Sequence, residues 1–307
     1  MDAVILFSHG SLLCGAGEAL RKHADRLRAR KLAPIVEVGY LNYSEPLFIE
    51  TVAKCVAAGA DRIVVTPYFL VPGYFVKVDL PKAVKAAQEA FPELPFVIAE
   101  ALGFDEGLAD ALIESAFSAQ DSRFWRRELA NAAKFCRPSP TCPLYETTSC
   151  PKKPGARIFS VECDQKIDLS PSAVTEISDA QKCALMVMVH GSPRPVANAE
   201  MFKTVELVKA RKLFRAVEVG FMECNEPNIP DAIDACVTSG AVEIIAVPYF
   251  LHTGTHVAED LPTLLEQGEA KYPSVKFLMG DFLGNSERLT AILEDRIGAL
   301  LTLQTGQ

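Results

Sequence analysis

Three histidines and one carboxylate in the second half of this 307-residue chain carry the residue types from which a metal site is built. His190 opens an HGS tripeptide, His252 and His256 stand four positions apart in PYFLHTGTHVAEDLP, and Glu223 lies between them in sequence. Neutral imidazole suits borderline ions such as cobalt, nickel, zinc and ferrous iron, and carboxylates add harder oxygen ligands. The same rings accept protons near neutral pH. His190, His252, His256 and Glu223 therefore read as an open metal site, in which His252 is a ligand, a partner that orients a ligand, or a bystander.

An internal repeat sharpens this set. A constant shift of 181 positions aligns SHGS at Ser8–Ser11 with VHGS at Val189–Ser192, and VEVGYLNYSEP at Val36–Pro46 with VEVGFMECNEP at Val217–Pro227. The same shift aligns PYFLVPGYFVKVDLP at Pro67–Pro81 with PYFLHTGTHVAEDLP at Pro248–Pro262. His256 stands opposite Phe75, His252 opposite Val71 and Glu223 opposite Asn42, whereas His190 has His9 as its mate. A backbone that accepts Phe at position 75 does not require an imidazole at 256, so His256 is the sharpest functional signal. The HGS turn, present in both copies, can be a structural requirement. Glu45 and Glu226 precede Pro in both copies and are expected to cap the following helix.

The elements that must position these residues follow from the apolar pattern. In the first copy, strands are expected at Val4–Phe7, Ile35–Tyr40, Arg62–Thr66 and Phe96–Ala99. Helices alternate with them, one carrying Leu20, Ala24 and Leu27, the others near Leu47–Ala57, Leu80–Ala90 and Asp105–Phe117. The second copy repeats the order. Short, continuously apolar strands alternating with amphipathic helices call for a parallel sheet covered on both faces. Ligands in such sheets sit outside the carboxyl ends of the strands. His190, Glu223, Glu226, His252 and His256 all follow strands in this way and would line one sheet edge.

The division expected is a lobe at 1–118 with a degenerate site, a connector at 119–183, and a lobe at 184–307 holding the site. The connector carries Cys136, Cys142, Cys150, Cys163 and Cys183 among Pro, Ser, Thr and Lys residues, so an iron–sulfur or zinc site there is an open alternative to plain thiols. Its spacings match neither zinc ribbons nor common ferredoxins. Cys55 and Cys236, at equivalent helix positions, read as small core residues.

Composition bounds the partners. A net charge of −8 without basic runs argues against nucleic acid. No apolar run reaches membrane-spanning length, and Met-Asp-Ala lacks the basic start of a signal peptide, so a cytoplasmic protein is expected. HGS lacks the G-x-S-x-G elbow of a serine hydrolase, and no P-loop or G-x-G-x-x-G appears.

A strand ending in HGS, an E-P helix start after the second strand, and the G-x-H-V and D-L-P elements of PYFLHTGTHVAEDLP together resemble the sirohydrochlorin chelatase family. These class II chelatases insert cobalt or ferrous iron into sirohydrochlorin. The resemblance covers both repeats and leaves out the connector. It implies two α/β lobes facing each other across a cleft that holds the macrocycle, in a fused form acting as a monomeric pseudo-dimer. It places the metal-handling histidines at His190 and His256; from the residues themselves, Glu223 would complete the catalytic set by adding an oxygen ligand or orienting an imidazole. The metal, Co2+ or Fe2+ with Ni2+ as an alternative, is a substrate. Val71, Tyr74 and Phe75 would form the opposite wall, and Arg194 is a candidate to meet a substrate carboxylate, with a solvated surface arginine as the alternative. Long members usually keep the working histidines in the first half, which is a departure here. A tetrapyrrole or metal carrier and a metal-dependent hydrolase are the rival readings.

Overall fold

The computed structural model describes residues 1–11, 17–121, 180–194, 198–254 and 256–302. The first copy runs β1 (Asp2–Ser8), α1 (Glu18–Ala29), β2 (Ile35–Tyr40), α2 (Phe48–Ala57), β3 (Arg62–Pro67), α3 (Leu80–Ala90), β4 (Phe96–Ile98) and α4 (Glu106–Phe117). The second runs β5 (Cys183–Val189), α5 (Ala199–Ala210), β6 (Ala216–Phe221), α6 (Ile229–Thr238), β7 (Glu243–Pro248), α7 (Leu261–Lys271), β8 (Lys276–Met279) and α8 (Glu287–Thr302). The strands form two parallel four-stranded sheets, ordered β2-β1-β3-β4 and β6-β5-β7-β8. Register repeats too: Val4 pairs with Val36 and Val64, Leu185 with Val217 and Ile245. The fold is the α/β architecture expected, two similar lobes related by duplication.

Each sheet is buried on both faces, which explains why its central strands are apolar without alternation. The outer face of the first sheet packs under α2 and α3 through Ile5, Phe7, Val52 and Leu80. The second does so under α6 and α7 through Met186, Met188, Ile233 and Leu265. The inner faces share one core, to which α1, α4, α5 and α8 all contribute. In α1 the stripe Leu20, Ala24 and Leu27 enters that core, as its helical spacing requires.

The last helix of each copy crosses over. α4, which ends the first copy, packs against α5 and β7 of the second, while α8 packs against α1 and β3 of the first. Salt bridges follow the exchange, Arg30 to Glu294 and Arg211 to Asp110. Gln120 then pairs with Met279 through two backbone hydrogen bonds of 2.8 and 2.9 Å, attaching the chain after α4 to the second sheet. The carboxyl ends of the two sheets also meet, Ser8 at the end of β1 being hydrogen-bonded to His252 beyond β7.

Candidate metal centre

His190 is delivered by the turn that ends β5. Gly191 has φ +94°, and a Cβ there would overlap the carbonyl oxygen of Glu223. Glycine is the residue that fits both demands. Gly10 has the same conformation and the same conflict with Asn42, so the glycine of HGS is structural in both copies. The turn is braced by the Ser192 amide, which donates to Asn225 Oδ1 at 2.7 Å; in the first copy the Ser11 amide donates to Ser44 Oγ. This bracing position was not singled out from sequence, because Asn and Ser there look like ordinary loop residues.

His256 opens a π-helical turn, His256–Asp260, that leads into α7. Such turns recur at functional sites. The turn brings the His256 ring to 5.1 Å from the His190 ring, centroid to centroid, edge to face. Two imidazoles 66 positions apart in sequence thus form a pair at the carboxyl ends of β5 and β7.

The ring nitrogens can be assigned from their neighbours. His256 Nδ1 lies 2.7 Å from Asp260 Oδ2, and His190 Nδ1 lies 3.3 Å from the carbonyl of Gly191. A carboxylate and a carbonyl only accept, so each Nδ1 carries the proton and donates it. Each Nε2 then keeps its lone pair for a metal ion or a proton. The Asp260 carboxylate also fixes the His256 ring, the usual service of a carboxylate behind a ligating histidine. Asp260 was missed in sequence because its mate Asp79 occurs in the copy that lacks the imidazole; its i+4 spacing from His256 was the available signal.

The first copy presents the same scaffold with different chemistry. Phe75 opens the matching turn, Phe75–Asp79, and packs on the His9 ring at 4.3 Å, with Tyr43 at 5.5 Å on the same imidazole. His9 is therefore in an aromatic setting, and Tyr74 and Phe75 are exposed. Across from them, the Arg194 guanidinium lies 5.8 Å from the centre of the Tyr74 ring, a cation–π contact between copies.

The other two expected members of the metal set have different surroundings. His252 does not join the pair: its Nε2 is 2.9 Å from Ser8 Oγ, and its ring meets Tyr68 edge-on at 5.4 Å, so it reaches into the first copy. The loop that carries it, with His256 already in a separate helical turn, sends the two side chains different ways. Glu223 is tied to His190 through its backbone, its amide donating to the His190 carbonyl at 3.0 Å, while the residue is exposed. Among the described residues no group of three or more His, Cys, Asp or Glu is arranged to hold a metal ion.

The cysteine reading divides likewise. Cys183 begins β5 and is buried in the core. Cys136, Cys142, Cys150 and Cys163 lie outside the described residues. Cys55 and Cys236 are buried, and burial pushes their thiols up to about 11 and about 12, which leaves them inert. Glu226 accepts a hydrogen bond from the amide of Asn228, the N-cap of α6, in the helix-start role expected of it.

With this geometry in view, the CbiX sequence profile matches residues 3–119 and again residues 184–300. The chain belongs to the CbiX family. Both matches end with the exchanged helices α4 and α8, so each CbiX repeat supplies a helix to the other. Among curated relatives, a sirohydrochlorin ferrochelatase of Priestia megaterium is 20% identical over 310 residues, covering 100% of this chain and 93% of its own. A sirohydrochlorin cobaltochelatase of the same organism is 23% identical over 262 residues, covering 85% and 68%. The fold is similar to that of SirB from Bacillus subtilis with Fe3+, with a TM-score of 0.69, 16% identity and coverage of 99% and 98%. No helix among the described residues of this CbiX chain is long and apolar enough to cross a membrane.

Proposed function

We propose that this chain is a sirohydrochlorin chelatase that inserts a divalent metal, Co2+ or Fe2+, into the tetrapyrrole and releases two protons, in cobalamin or siroheme biosynthesis. The observation that carries this reading is the His190–His256 pair, two imidazoles 5.1 Å apart at the strand ends of a CbiX repeat. The names of the relatives supply the substrate class.

Insertion must strip water from the cation and remove two pyrrole N–H protons. The site therefore needs a weak platform for the metal substrate and bases that work near neutrality. The two Nε2 atoms meet both needs. His256, oriented by Asp260, is one base of the pair; His190, held by the HGS turn, is the other. The first copy supplies the opposite wall through Val71, Tyr74 and Phe75, and Arg194 meets a carboxylate at the rim. The substrate carries eight carboxylates, so a guanidinium at the mouth is a suitable partner. In this reading residues 184–307 hold the working site, residues 1–118 wall it in, and the fused chain acts in the cytoplasm as one unit.

The test is an absorbance time course with sirohydrochlorin and Co2+, Fe2+ or Ni2+ in parallel. The expected result is insertion of Co2+ or Fe2+ well above the rate with free metal. A rate equal to that of the protein-free control with every metal contradicts the reading.

A further inference from the structure

A chain of polar side chains passes through the junction of the two copies. It begins at Ser8, the residue before His9, whose Oγ is hydrogen-bonded to His252 Nε2 at 2.9 Å. The His252 ring meets Tyr68 edge-on, and the Tyr68 ring meets His23 at 5.3 Å. His23 Nε2 then lies 3.1 Å from Tyr68 Oη and 2.8 Å from the carbonyl of Gly284, and its Nδ1 lies 2.7 Å from Thr290 Oγ1 on α8. Ser8, Tyr68, His23 and Thr290 are all buried. Both copies contribute to this path, Ser8, Tyr68 and His23 from the first and His252 and Thr290 from the second.

The pseudo-symmetric path on the other side of the molecule has a different composition. The 181-residue shift turns Ser8 into Val189, His252 into Val71, His23 into Thr204 and Thr290 into Ala109, with tyrosine kept at 68 and 249. The fold thus accepts two valines where Ser8 and His252 stand. Burying polar groups that need partners is costly where apolar ones also fit, so the pair calls for a reason other than packing.

Its location supplies one. His252 is four positions before His256, and between them Gly254 has no atom within 4 Å of where a Cβ would stand. Packing at that residue does not fix the loop. His252 anchors the loop on one side and the π-helical turn holds it on the other, where the Ala258 amide donates to the Gly254 carbonyl. We propose that His252 is a positioning residue, which holds the His256 loop against the first copy through Ser8 and Tyr68. The copy without the imidazole pair thereby sets the placement of the copy that has it. This role rests on the chelatase reading for its effect on rate, but the tether itself does not.

The test uses the full chain with H252V, S8A, S8V/H252V and H252Q. Partners behind a ligating group are worth about ten- to a hundredfold in affinity or activity. H252V and S8A are expected to lower kcat for metal insertion by about tenfold or more, with KM for the tetrapyrrole nearly unchanged. The double variant is expected to be no slower than H252V, because both changes cut one link. H252Q, which keeps a side-chain hydrogen-bonding group, is expected to recover much of the loss. A kcat for H252V and S8A within twofold of the unmodified chain, or effects of Ser8 and His252 that multiply, overturns the proposal. Amide hydrogen exchange over residues 249–260 is read on the same proteins. Loss of protection there in H252V and S8A is expected even if the chain inserts no metal, in which case the functional reading alone fails. Unchanged protection overturns the tether directly. Should H252V fail to fold, S8A carries both readouts.

Discussion

At the scale of single residues, the decisive contrast is between two turns of the same shape. His256 packs on His190 in one copy, and Phe75 packs on His9 in the other. The scaffold around Phe75 retains what an imidazole there would use, since Asp79 holds the i+4 position that Asp260 holds behind His256. F75H should therefore rebuild a second platform. Co2+ titration followed by visible absorption is expected to rise from one site per chain to two, and a titration unchanged by F75H would mean that the first copy lacks more than the imidazole. The asymmetry was legible in the sequence because a fixed-register repeat compares each residue with its own mate. The different fates of His252 and His256 were not, since a four-residue spacing does not say where a helical turn begins.

At the scale of elements, the strands and helices were readable from apolar periodicity, because both faces of each sheet are buried and the helices are one-sided. The exchange of α4 and α8 was not, since each helix is equally amphipathic whichever sheet it covers. The same exchange buries His23, on α1, under Thr290 of α8. Burial, more than the nearby Arg26, brings the His23 pKa from about 6.5 down to about 4, so the folded chain keeps this ring neutral. The unfolded chain takes up a proton below about pH 6.5. His23 thus contributes its full stability above that pH, and the contribution is lost as pH falls from about 6.5 to about 4. A shift of this size corresponds to on the order of 3 kcal/mol. Urea unfolding at a series of pH values should show that loss in the unmodified chain and a shallower one in H23T, which carries the residue of the second copy. Equal pH slopes for the two would remove His23 from the acid response.

At the scale of the whole molecule, the two copies are one structure. A single core takes residues from both sheets, the last helices are exchanged, and Arg194 meets Tyr74 across the junction. Duplication alone predicts two equal sites; the distribution of imidazoles makes them unequal. The central claim of the proposed reading is that the first copy serves as wall and anchor while the second handles the metal. It is tested most directly by metal insertion rates for H256A and H9A measured side by side under saturating sirohydrochlorin. The account predicts that H256A lowers the rate by about a hundredfold or more while H9A stays within a few-fold of the unmodified chain. Loss of insertion in H9A with H256A unaffected would contradict it and move the working site to the first copy.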